Sequence, residues 1–185
     1  LAYLFCVSLK GVQRLGLTED FTGTVLVFGA GMNGIGAAQI IRIKAPKATI
    51  VLAEPHPYRQ SIARHYADFV ITPDEAGIKQ LEEITNGKKA DKIIECSGNP
   101  TVPGMLYRYL KDGGWKDDDE PGYIHLNGDY PEKLLFDHYH RWFVKNANMS
   151  MTCAMKWSAK AQILQWIGEG KIDTSHLPYE IWPAG

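Results

Sequence analysis

Residues 24–34, TVLVF followed by GAGMNG, decide the fold. Thr24 to Phe28 is a short, apolar, β-rich run, the pattern of a strand buried on both faces. Gly29-Ala30-Gly31-Met32-Asn33-Gly34 follows at once with G-x-G-x-x-G spacing, and Gly34 to Lys44 then takes helical character. Each glycine has its own task in such a turn. Gly29 permits the tight exit from the strand, Gly31 lets backbone N–H groups approach a diphosphate with no β-carbon between, and Gly34 lets the helix pack close to the strand. The helix N-terminus adds unpaired donors and a partial positive charge. Met32 and Asn33, inside the turn, are counted with the glycines as cofactor contacts.

Outward from this unit, strand-like and helix-like segments alternate. Strands are expected at Ala48 to Glu54, Phe69 to Ile71, Lys92 to Cys96, Tyr123 to Asn127 and Met149 to Met155. Helices are expected at Tyr58 to Tyr66, from Thr72-Pro73-Asp74-Glu75 to about Thr85, at Val102 to Lys111, and from Ser158 to Ile167. The second of these starts, at Thr72, reads as a capping box with proline at the first helical position. Trp115 to Gly122 reads as a long loop. The expected class is α/β, a doubly wound, parallel, six-stranded sheet of the dinucleotide-binding Rossmann type.

The glycine turn has the context that a dinucleotide site needs. Glu54 ends the second strand 20 positions beyond Gly34, where a carboxylate accepts both hydroxyls of an adenosine ribose and repels a 2′-phosphate, favouring NAD over NADP. Arg59, five residues on, is placed to flank the adenine ribose or a phosphate, which leaves use of both cofactors open; it reads equally well as a solvated helix-start arginine. Cys96-Ser97-Gly98 and Asn127-Gly128 end the fourth and fifth strands with small residues that leave room for a flat nicotinamide ring. The plain alternative is that both are turns. Cys96 reads as a packed strand residue rather than a nucleophile, since no histidine is placed near it.

Net charge of -1, with 45% hydrophobic and 22% charged residues, gives no electrostatic reason to expect nucleic acid or an anionic membrane as partner. The densest charge run, Lys116 to Glu120, is acidic. Three scattered cysteines without CxxC or Cys/His spacing indicate neither a disulfide framework nor a zinc knuckle, so no metal is assigned and a reducing, cytoplasmic setting is expected. The apolar opening Leu1 to Leu9 lacks a signal-peptide pattern and is too short to span a bilayer. The N-terminus reads as a boundary within a longer protein. Six histidines are read mostly as surface residues, and His138 and His140, two apart, would not share a helix face.

The order of motifs resembles the medium-chain dehydrogenase/reductase superfamily, the zinc-type alcohol and polyol dehydrogenases. The residues that carry it are TVLVFGAGMNGIGAAQ from Thr24, ATIVLAE with Arg59, KADKIIECSGNP, LKDGG, YIHLNGDY and the late ILQWIGEGKIDTSHLP. The resemblance implies an NAD(P)-dependent domain that serves hydride transfer between nicotinamide and an alcohol or carbonyl. It implies a GroES-like catalytic domain outside this chain, with zinc only in the full-length enzyme, and pairing of two copies through the last strand near Ser150 to Ala154. Residues 1–20 are then a linker helix, 21–175 the dinucleotide-binding domain and 176–185 a tail leading back to the catalytic domain. Cys6 sits near where some relatives place one zinc ligand, but reads better as a core cysteine in an apolar helix. Two details depart from the pattern: no glycine precedes Ala67, and Trp115 to Gly122 looks like an insertion. Three other readings stand beside this one. Tyr107 and Lys111 superficially match a short-chain dehydrogenase pair but come too early in the chain, the glycine spacing suits a diphosphate better than a methyltransferase's methionine tail, and a non-catalytic NAD-sensing or oligomerisation module remains open.

Overall fold

The apolar run at 24–28 becomes the central strand of a six-stranded sheet. A computed structural model describes residues 1–114, 120–131, 133–153, 155 and 157–178. Strands β1 (Thr24–Phe28), β2 (Thr49–Ala53), β3 (Phe69–Ile71), β4 (Lys92–Glu95), β5 (Tyr123–Leu126) and β6 (Asn148–Met151) lie in the order β3-β2-β1-β4-β5-β6, and every neighbouring pair is parallel. The chain therefore winds outward from β1 in one direction, returns, and winds outward from β4 in the other. The carboxyl ends of β1 and β4 flank the point of reversal, where ligands of such sheets bind.

Alternation along the strands builds two cores. Val25, Val27, Ile50, Leu52 and Ile94 face helices α1 (Ala2–Arg14), α2 (Met32–Lys44) and α6 (Ala159–Gly168); Leu26, Phe28, Val51, Ala53, Ile93 and Ile124 face α4 (Glu75–Ile84) and a 3₁₀ helix at Pro103–Arg108. The α1 helix belongs to the first core: Phe5, Cys6, Leu9 and Val12 are buried there, and a β-carbon on Gly36 of α2 would lie 2.7 Å from the Phe5 ring. Two short helices complete the fold, α3 (Pro57–Ala63) and α5 (Tyr139–Phe143). No helix among the described residues is long and apolar enough to cross a membrane.

Four local expectations are corrected. The helix expected over Val102 to Lys111 is a six-residue 3₁₀ turn, because Leu110 is drawn into a β-bridge with Ala90, with Lys111 N donating to Ala90 O at 2.9 Å. At α4 the cap is Asp74, not Thr72: its Oδ1 accepts from Gly77 N (2.9 Å) and from Thr72 Oγ1 (2.7 Å), and Pro73 lies before the cap. Ser158 occupies the α6 N-cap position without a side-chain capping bond, and α5 had no sequence signal. The last strand is Asn148–Met151, shorter than expected. Of the expected insertion, residues 115–119 lie outside the described residues, as do Ala154 and the tail beyond Pro178.

Five of the six histidines are exposed, as expected, and His125, on β5, is the exception. It is fully buried, its Nδ1 lies 2.8 Å from Ser150 Oγ of β6, and burial, reinforced by the Arg14 cation, pushes its pKa down to about 4. The unfolded imidazole titrates near 6.5. The folded state takes up the proton later than the unfolded one, so this group's contribution is full above pH about 6.5 and is lost as pH falls toward 4. The loss amounts to about 3 kcal/mol. In denaturant titrations from pH 8 to 4, His125→Gln should show a correspondingly shallower loss than the parent; parallel slopes would contradict the assignment.

Candidate functional site

The glycine turn joins β1 to α2, and its three glycines meet three different surroundings. Gly29 has φ of 89°, in the left-handed region, and a β-carbon there would lie 2.9 Å from Ser97 Cα. A β-carbon on Gly34 would collide with the carbonyl oxygen of Gly29, so this glycine brings α2 down onto the strand exit. Gly31 is the N-cap of α2 in an extended conformation, and nothing lies within 4 Å of where its β-carbon would be. The first-turn amides of a helix have no partner within it, and no side chain caps α2. An open space before uncapped amides fits the diphosphate of a dinucleotide.

On the β2 side, Glu54 is 3% exposed and its carboxylate is bound to backbone. Oε2 accepts from Ala30 N within the glycine turn (2.7 Å), and Oε1 accepts from His56 N (2.9 Å). Gln60 Nε2 donates to the Glu54 carbonyl at 2.7 Å. Glu54 thus fixes the turn, and a carboxylate has lone pairs to spare for further donors. Arg59 is exposed on α3 and makes no hydrogen bond or ion pair among the described residues.

On the β4 and β5 side, Cys96 N donates to Phe28 O at 2.9 Å, and Asn127 Nδ2 reaches the Cys96 sulfur at 3.8 Å. Burial, with the neighbouring Glu95 carboxyl, pushes the Cys96 thiol well above its ordinary range, which leaves no thiolate for nucleophilic attack. Asn127 is buried and packs against Gly11 of α1, where a β-carbon would stand 2.5 Å from its Oδ1. Gly98 has φ of 68° and lies near the Asp129 carbonyl. Ser8 Oγ donates to Asn33 O at 2.7 Å, tying α1 to the start of α2, and Met32 is half-buried against the first core.

These contacts form one chain across the carboxyl ends of the strands: Glu54 to Ala30, Gly29 to Ser97, and Ser97 onward to the loop after β5. The link that sequence reading passed over is Glu95, the fully buried last residue of β4, whose carboxylate accepts from Ser97 N (2.7 Å), Ser97 Oγ and Tyr130 OH. A signal for it existed: an acid ending an otherwise apolar buried strand needs donors, and a serine follows two residues later. Among the described residues no group of three or more His, Cys, Asp or Glu is arranged to hold a metal ion.

No family model matches the chain. Over 116 residues, 62% of its length, the chain is 30% identical to the L-threonine 3-dehydrogenase of Pyrococcus horikoshii, and the match covers 31% of that relative. Its fold is that of zinc dependent alcohol dehydrogenase 2 from Streptococcus pneumonia (TM-score 0.77, 18% identity, covering 92% of this chain and 47% of the other). It is equally that of a short chain alcohol dehydrogenase from E. coli CFT073 complexed with NADH (TM-score 0.77, 19% identity, covering 95% and 49%). The chain spans about a third of the curated relative's length and about half of each solved chain. In sequence the chain is thus similar to L-threonine 3-dehydrogenases and an L-galactonate-5-dehydrogenase, and in fold to about half of each alcohol dehydrogenase chain.

Proposed function

We propose that the chain is the NAD-binding domain of an alcohol or polyol dehydrogenase, with the substrate pocket and any zinc supplied by a further domain, and with NADP as the less favoured cofactor. The observation that carries this is the open space at Gly31 before uncapped α2 amides, flanked by the Glu54 carboxylate. When bound, the nicotinamide supplies the hydride acceptor or donor. The residues of this chain bind and orient: α2 amides take the diphosphate, Glu54 the adenosine ribose with Arg59 beside it, and the Ser97–Gly98 and Asn127–Gly128 exits border the ring. α1 is the incoming linker helix, residues 176–185 lead back to the other domain, and the exposed edge of β6, with Met151 67% exposed, is the face through which two copies pair. Three free cysteines suit a reducing, cytoplasmic setting.

NADH fluorescence titration tests the reading. The 185-residue chain should bind NADH saturably below millimolar concentration and oxidise no alcohol by itself; no saturation up to millimolar NADH would refute it. In the same titration, Glu54→Ser should shift relative affinity toward NADPH by about tenfold, or about 1.4 kcal/mol. The variant should also be less stable by about 1–2 kcal/mol, since Ala30 N loses its acceptor.

A further inference from the structure

We infer that Glu95 is a positioning residue for the nicotinamide half of the cofactor, holding the β4 and β5 exit loops at a set spacing through Ser97 and Tyr130. The inference rests on the cofactor-binding reading above. It starts from a cost: Glu95 is 0% exposed at the end of β4, in register with Phe28 of β1 on one side and Leu126 of β5 on the other, and a buried carboxyl is unfavourable unless its oxygens are satisfied.

Both oxygens are satisfied, each by a different loop. Oε1 accepts from the Ser97 amide at 2.7 Å and from the Ser97 hydroxyl, while Oε2 accepts from the Tyr130 hydroxyl, 35 residues along the chain. Gly128 makes the second contact achievable: a β-carbon there would lie 2.8 Å from both Glu95 Oε2 and Tyr130 Oη, displacing the ring. The two loops also meet directly, since a β-carbon on Gly98 would lie 3.7 Å from the Asp129 carbonyl oxygen. Burial raises the Glu95 carboxyl above the usual carboxylate range, in keeping with its enclosure between the two loops.

A division of labour follows from where the two buried acids sit. Glu54, beyond β2, clamps the glycine turn on the adenosine side; Glu95, beyond β4, clamps the exits on the nicotinamide side. Loosening the Glu95–Tyr130 tie should therefore affect binding of the nicotinamide ring and leave the ADP-ribose portion alone. An acid that served folding only would change both ligands together, or neither.

The test compares NADH with ADP-ribose on the 185-residue chain and on Tyr130→Phe and Gly128→Ala, by calorimetric titration with thermal midpoints recorded alongside. In the parent chain NADH should bind more tightly than ADP-ribose. In both variants that advantage should shrink by about fivefold to tenfold, the loss expected when a hydrogen bond to a buried carboxyl goes and its loop is freed, while ADP-ribose affinity stays within about twofold. Unchanged ADP-ribose binding also certifies that a variant has folded, and Gly128→Ala stands in if Tyr130→Phe does not fold. A parent chain that binds ADP-ribose and NADH equally, or variants that keep the NADH advantage, would overturn the role of Glu95 alone. Binding of neither ligand by the parent would instead overturn the cofactor-binding reading, and this inference with it.

Discussion

Gly31→Val is expected to weaken NADH binding by at least about 100-fold, or about 2.7 kcal/mol, while the protein remains folded. The reasoning turns on what surrounds the missing side chain. At φ -73° and ψ -179° the backbone of Gly31 suits any L-residue, and a β-carbon would enter a space in which nothing lies within 4 Å. The substitution thus causes no clash in the free protein. Its cost to folding is the poorer N-cap, about 1 kcal/mol, or roughly 2–4 °C in thermal midpoint for a chain of this size. Two valine methyl groups would stand before the α2 amides, where the diphosphate must come within hydrogen-bonding distance. Fluorescence titration with a melting curve on the same sample checks both halves. Undiminished NADH binding would show that the diphosphate does not lie at this turn.

Gly34→Ala, three residues on, should do the opposite and damage the fold. Its β-carbon would collide with the Gly29 carbonyl oxygen, a backbone atom held in place because Gly29 N donates to Ala53 O at 2.8 Å and Gly29 itself abuts Ser97. Neither side has a flexible end that can swing away, so α2 must lift off β1 and open the core around Val27 and Ile35. Overpacking of this kind costs about 3 kcal/mol, which lowers the midpoint by roughly 6–12 °C. Chemical denaturation of parent and variant measures it. An unaltered midpoint would mean that helix and strand are not packed this closely. The pair separates two roles within one motif: Gly31 keeps a space clear for a ligand, and Gly34 allows an approach between two elements of the protein.

How far these features could be read beforehand depended on the range of the interaction. The glycine turn was legible because its requirements are steric and local, and the bounds of β1 and β3 were recovered as expected for the same reason. The α4 cap lies two residues beyond the one expected, since Thr72 and Asp74 are both competent caps and the bond from Gly77 N to Asp74 distinguishes them. The 102–111 segment misled more seriously. Its composition allows a helix, but pairing with Ala90 requires an extended chain at Leu110, and that pairing is invisible in the segment itself.

Residue pattern alone was enough to reach the architecture, and it marked one candidate site. Alternating apolar strands and helices admit a doubly wound parallel sheet, and a glycine turn after its first strand, with an acid after the second, marks the end of the sheet at which a dinucleotide would lie. What the buried polar residues do emerges from the packing of distant segments. Glu54 is bound into the glycine turn through Ala30, Glu95 joins loops 35 residues apart through Tyr130, and His125 is held neutral beside Ser150 of the neighbouring strand. The physical reason is that a buried polar group is defined by its partners. Strand pairing brings those partners together from distant parts of the chain, where no local pattern of residue types records them.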